Sequence, residues 1–376
     1  MPYASLRLAG AGRVTESRAG GVGADGFAAT VMRGDRAENR HCAHIAVTDA
    51  AGRLLYESGD ARRLTWIRST AKPAQALAVL EASDGDDFGF DAAELALLCA
   101  SHSAEPLHLE RAAGMLRRAG LHEADLCCGG HPSLNDAVTR DWICRDLVPG
   151  PLCSNCSGKH IGMAVAARAL TGTPANYQAR NHPLQQRVGA VLASLVGMEP
   201  SDIDWAIDGC NLPTPSLPLE RLARLYAVLA DAADTTARTP AGAITPRTQR
   251  LARLYQAMTQ YPELVAGSGR FCTALMQSFA GGLIGKVGAD GCYAVGLRAE
   301  RTAHLPMVTG ALGIAIKVED GNGAVVAPIV CEVLRQLRVP VPEALQAFYA
   351  PVLRNTVGVA VGHIALSVTL RPSLGA

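Results

Sequence analysis

Apolar positions along the chain follow two periods. HIAVTD (44–49) and RLLYE (53–57) set β-branched and apolar residues on either side of the short Gly-containing AAG (50–52), the pattern of a β-hairpin and the start of an antiparallel sheet edge. From Thr70 to about Ile284 the spacing becomes helical, with apolar stripes over 106–119, 158–170, 183–196, 218–229 and 250–259, several opening at Pro or after Gly. Strand-like runs return at 283–287, 292–297, 312–318 and 357–368, interrupted by an apolar helix near 325–337. DAADTTARTPAGAITP (231–246) has the Thr, Pro and Gly content of an exposed loop. Strands at both ends around a helical middle predict an α+β fold, an antiparallel sheet flanked by helices with an adjoining helical region. Residues 31–70 and 281–376 form the sheet region, 71–280 the mainly helical region, and the active site lies at their junction. Residues 1–30 read as a loose leader without the charged start and apolar run of a signal peptide.

Composition narrows the function. The 376 residues are 49% hydrophobic and 18% charged, enough to bury a large core. Lys and Arg total 35 against 34 Asp and Glu, so the broad positive field of a nucleic-acid or anionic-membrane binder is missing, and a small-molecule substrate is expected. No apolar run reaches the roughly 18 residues of a spanning helix. Eleven irregularly spaced cysteines point to a reducing, cytoplasmic setting with metal-binding or buried thiols.

The chemistry begins at WIRSTAKPAQ (66–75). Ser69 and Lys72 are one turn apart at the start of a run with strong helical propensity, so the amine can reach the hydroxyl while the helix N-terminus favours a developing alkoxide. The competing explanation is a capping serine followed by a solvated lysine. CASHS (99–103) then supplies Ser101, and GGLIGKVGAD (281–290) supplies Lys286 on a predicted strand. In chain order these resemble the S-x-x-K, S-D-N and K-T-G elements of penicillin-binding proteins and class A β-lactamases. His102 and Ser103 replace the Asp and Asn, and Val287 replaces the Thr, which departs from β-lactam chemistry while retaining a Ser-Lys hydrolase.

LCSNCSGKHIGM (152–163) and WAIDGCNLPTP (205–215) add Cys153, Cys156, Lys159, His160, Asp208 and Cys210. The Cys-x-x-Cys has no thioredoxin-like βαβ context. Two thiolates with an imidazole or a neutral amine could hold Zn²⁺; buried structural thiols are the alternative.

Together with CGGHPSL, GRFCTALM and GALGIAIKVEDGN, these strings resemble the class 3 (rhizobial-type, zinc-associated) L-asparaginases of the asparaginase II family, from about Arg33 to Val368. The resemblance implies a serine β-lactamase- or glutaminase-like fold and a homodimer that hydrolyses L-asparagine to L-aspartate and ammonia. It implies Ser69 as nucleophile with Lys72 as its partner, Ser101 with Lys286 as a second tandem, and Cys156, Lys159 and Cys210 as ligands of one Zn²⁺. Amide hydrolysis also needs a proton relay and oxyanion donors, for which the backbone N–H of Ser69 is a candidate. For the substrate zwitterion, Arg68 is the candidate partner of the carboxylate and Asp208 of the amine, with His160 lining the pocket. The rivals are a glutaminase, a β-lactamase-like serine amidohydrolase and a non-catalytic zinc-binding protein.

Overall fold

The computed structural model describes residues 27–83, 85, 87–305 and 308–373. Within it Ala43–Asp49 pairs antiparallel with Leu54–Ser58, with a bulge between Val47 and Thr48. It is an interior strand, not an edge: its second antiparallel neighbour is Leu312–Val318, followed by Cys292–Leu297 and Leu283–Val287. Arg371–Pro372 completes a six-stranded sheet beside Leu54–Ser58. Segments far apart in sequence thus share one sheet, as the strand–helix–strand order predicts.

A four-stranded sheet runs in the order Val352–Arg354, Ala360–Leu366, Ala29–Arg33, Arg36–His41. Ala29 and Thr30, inside the expected leader, belong to its strands, whereas residues 1–26 lie outside the described residues. A three-stranded sheet joins Leu64–Trp66, Pro213–Pro218 and Asp204–Ile207, and its first strand leads directly into Ser69.

The helix Leu219–Arg238 packs on the six-stranded sheet. Gly313 permits this approach, because a Cβ there would stand 1.7 Å from the Ala223 carbonyl oxygen. The helix also corrects the loop expected from Asp231. Buried Leu225, Leu229, Ala232 and Ala233 keep the apolar stripe going at i, i+4, i+7 and i+8, and buried Asp234 accepts from Arg298 Nε and Ala299 N, both at 2.8 Å. Small Ala and Thr side chains, which read as loop composition, here let the helix continue to Arg238.

In the helical region every residue of Lys72–Leu80 is buried, among Ser157–Thr171, Pro183–Val196 and Pro246–Gln260. Pro73 is accommodated in the first turn, where its missing N–H costs nothing. Gly158 lets the start of Ser157–Thr171 touch the end of Ala92–Leu98, since a Cβ would lie 2.4 Å from the Leu97 carbonyl oxygen. That contact draws residues 153–160 against the 99–103 segment. Among the described residues no helix is long and apolar enough to cross a membrane.

Candidate active site

Ser69 lies in a 3₁₀ turn, Arg68–Ala71, where Arg68 adopts a left-handed φ of 48°. Thr70 fastens the turn: its hydroxyl donates to the Ile67 carbonyl at 2.5 Å, and its own carbonyl accepts from Tyr226 OH at 3.0 Å. The following helix takes Ala71 as its N-cap, with no side-chain capping bond. Ser69 is therefore not the capping residue, and it lines a cavity of about 260 Å³ with Arg68, Cys156, Asp208 and Cys210. A larger open hollow of about 570 Å³ between Arg62, Glu199 and Glu220 includes none of the Ser-Lys side chains.

The amine of Lys72 donates to Ser101 Oγ at 3.0 Å and to the Ala100 carbonyl, among the described residues, where the spacing alone suggested Ser69. Lys286 donates to the same hydroxyl at 2.7 Å and to the Val287 carbonyl at 2.8 Å. Both lysines are fully buried. Burial lowers the pKa of Lys72, against the pull of Cys156. Burial and then the charge of Lys72 push Lys286 well below the ordinary lysine range. Ser101 is itself held by its N–H donating to the Val265 carbonyl at 2.9 Å and its carbonyl accepting from Arg270 at 2.5 Å. The result is a buried hydroxyl contacted by two amines whose pKa values burial lowers.

Beside them, Lys159 Nζ donates to Cys210 Sγ at 3.2 Å, and Asn155 Oδ1 accepts from Cys156 Sγ at 2.8 Å. A hydrogen bond from Cys210 holds the Cys156 thiol well below its usual range despite burial, with Lys159 and Lys72 adding to the effect; the same bond pushes Cys210 up. Burial opposes the Lys159 charge, but the two sulfurs outweigh it and hold the ammonium above its ordinary value. No group of three His, Cys, Asp or Glu side chains among the described residues is arranged as a metal site, so a metal here would need Lys159 as its third donor. Two sulfurs and an amine drawn together beside the cavity form a donor set that fits Zn²⁺ once Lys159 and Cys210 lose their protons.

Arg68 Nε donates to Asp208 Oδ1 at 2.8 Å, and both residues line the cavity. His160 does not line it: the ring is fully buried, with Nδ1 2.6 Å from Tyr177 OH. Burial also drives His160 well below the usual histidine pKa.

The sequence profile of the L-asparaginase II family matches residues 29–366, which includes every side chain described above. The chain belongs to the L-asparaginase II family. None of the curated proteins compared matches the chain. Among solved structures it is similar to Mglu in its native form in 4.3 M NaCl, with 14% identity, 83% of this chain and 66% of that one covered, and a TM-score of 0.41. It is also similar to the covalent complex of the Bacillus subtilis glutaminase YbgJ with 5-oxo-L-norleucine, at 14% identity, 80% and 89% coverage and a TM-score of 0.34. The chain spans just under two thirds of the length of Mglu.

Several residues of this family member's site escaped the sequence reading. Arg270, which fixes the Ser101 carbonyl, stands in the string GRFCTALM without any spacing that marks it. Asn155 holds the backbone of His102 through its carbonyl, at 3.2 Å, and receives its own support from His131 Nε2, which accepts from Asn155 N at 3.0 Å. Asp290 ion-pairs with Arg68 across 222 residues of sequence, a contact that only the fold creates.

Proposed function

We propose that the protein is a class 3, zinc-associated L-asparaginase that hydrolyses L-asparagine to L-aspartate and ammonia through an acyl-enzyme on Ser69. The observation that carries this reading is the convergence of buried Lys72 and Lys286 on Ser101, next to a cavity lined by Ser69. Ser69 attacks the side-chain amide carbon. Its proton passes to the Lys72–Ser101–Lys286 chain, where burial lowers the pKa of both amines and so makes the neutral, proton-accepting form more accessible than in water. The chain returns a proton to the departing ammonia, and water then releases aspartate from Ser69. The cavity, about 260 Å³, is of a size for a small amino acid, and its Arg68–Asp208 pair offers one charge for each end of a zwitterion.

Cys156, Lys159 and Cys210 are the residues that would hold Zn²⁺. When bound, the ion supplies positive charge that draws the substrate's polar groups into place. Ser69 and the lysines already provide nucleophile and base, so no zinc-bound nucleophile is required. The same reading takes the protein as a cytoplasmic homodimer, and light scattering tests the assembly.

Ammonia release from asparagine and glutamine, together with a chromogenic β-lactam, tests the reaction. Wild type should favour asparagine, and Ser69→Ala should fold normally while losing more than about 10³-fold in kcat. Preference for glutamine or the β-lactam would move the assignment to that substrate, and no turnover of any of them would favour a binding protein.

A further inference from the structure

Arg68 holds two carboxylates that differ sharply in their surroundings. Its Nε donates to Asp208, whose side chain is 13% exposed and also accepts from Gly209 N at 2.7 Å. Its Nη1 donates to Asp290, whose side chain is 70% exposed. Asp290 stands at the tip of the hairpin between Leu283–Val287 and Cys292–Leu297, the hairpin that also carries Lys286. Its backbone is left-handed, with φ 55°, and its carbonyl accepts from Lys317 Nζ at 2.5 Å. The backbone is thus anchored while the carboxylate remains largely in water, beside Ala289 on the cavity wall.

One guanidinium facing two carboxylates has no charge left for a third. An incoming α-carboxylate must displace one of them. Asp208 is desolvated and bonded twice, so drawing Arg68 away would leave its buried carboxylate to Lys159 and the Gly209 N–H, whereas Asp290 returns to solvent at little cost. We propose that Asp290 is an exchangeable counterion that occupies Arg68 in the free protein and yields it to the substrate's α-carboxylate. It thereby lowers affinity for every ligand carrying that group, the product aspartate included, and favours product release. This rests on Arg68 binding the α-carboxylate of an amino-acid amide.

Asp290→Asn removes the charge and suits the left-handed position, which asparagine tolerates. The measurements are KM and kcat for asparagine, Ki for L-aspartate, and inhibition by 3-aminopropanamide, which lacks the α-carboxylate, with melting temperature to confirm folding. The variant should lower KM and Ki by about two- to fivefold, change kcat less, and leave 3-aminopropanamide inhibition as in wild type, the size expected of an exposed ion pair. A higher KM together with weaker 3-aminopropanamide binding would instead assign Asp290 to the substrate ammonium. Unchanged constants would show that the contact is idle. Either result overturns the proposal. Wild-type protein that neither binds nor hydrolyses asparagine overturns the substrate assignment itself, and does so before any variant is made.

Discussion

At the scale of single residues, Ser69 and Lys72 show how far spacing can be trusted. Ser69 lines the cavity, Lys72 is buried behind it in the next helix, and the side-chain-free cap at Ala71 removes the capping alternative. Spacing does not specify the partner of the amine, because Ser101 reaches Lys72 only through the packing that holds segment 99–103. The same limit explains Asp290 and Arg270, whose roles depend on contacts that no local pattern records. His160 is the converse case: adjacent to Lys159 in sequence, it turns into the core toward Tyr177. The lysines yield a pH prediction. In the proposed mechanism the neutral amine is the active form, and burial lowers the pKa of both lysines, so activity should be present above the depressed value and lost as pH falls through it. The acid limb of kcat/KM should therefore lie below the ordinary lysine value of about 10.4. An acid limb centred on that ordinary value would contradict neutral lysines at neutral pH.

At the scale of elements, periodicity located the long helices and the strands of the six-stranded sheet's centre because their buried faces are continuous, and missed short strands such as Leu64–Trp66, Asp204–Ile207 and Pro213–Pro218. Pro106–Ala119, Pro183–Val196, Leu283–Val287, Cys292–Leu297 and Leu312–Val318 have the predicted bounds. It failed at 231–238, where alanine and threonine carry little hydrophobic signal and the helix is secured by tertiary contacts to Arg298 and Ala299. This assigns Asp234 a measurable role. Asp234→Ala leaves the Arg298 guanidinium and the Ala299 N–H without their acceptor, and should cost about 1–3 kcal/mol of stability. Thermal or denaturant unfolding checks it, and a loss confined to catalytic constants with unfolding unchanged would be inconsistent with that role.

At the scale of the whole molecule, the bracketing of helices by strands made sheet building from distant segments legible, but neither the strand order nor the separation of Ala360–Leu366 into a second sheet was. Gly313 illustrates why: its value lies in the closeness of the Ala223 carbonyl, which appears only when helix and sheet are stacked. The sulfur–lysine cluster joins residues 156–159 to Cys210 in the same way, so a metal there would cross-link separate parts of the fold. Added Zn²⁺ should raise the melting temperature of the metal-free protein, and Cys156→Ser and Cys210→Ser should abolish that rise, bind no zinc by elemental analysis, and increase KM with a smaller fall in kcat than Ser69→Ala. Variants that keep the metal, or lose kcat with binding intact, would overturn the positioning role. The nucleophile is the central claim, and covalent trapping tests it most directly. A diazoketone analogue of asparagine should add one increment to the intact mass of wild type, mapped by peptide sequencing to Ser69 and absent from Ser69→Ala; an adduct on Ser101, or labelling that persists in Ser69→Ala, would contradict the account.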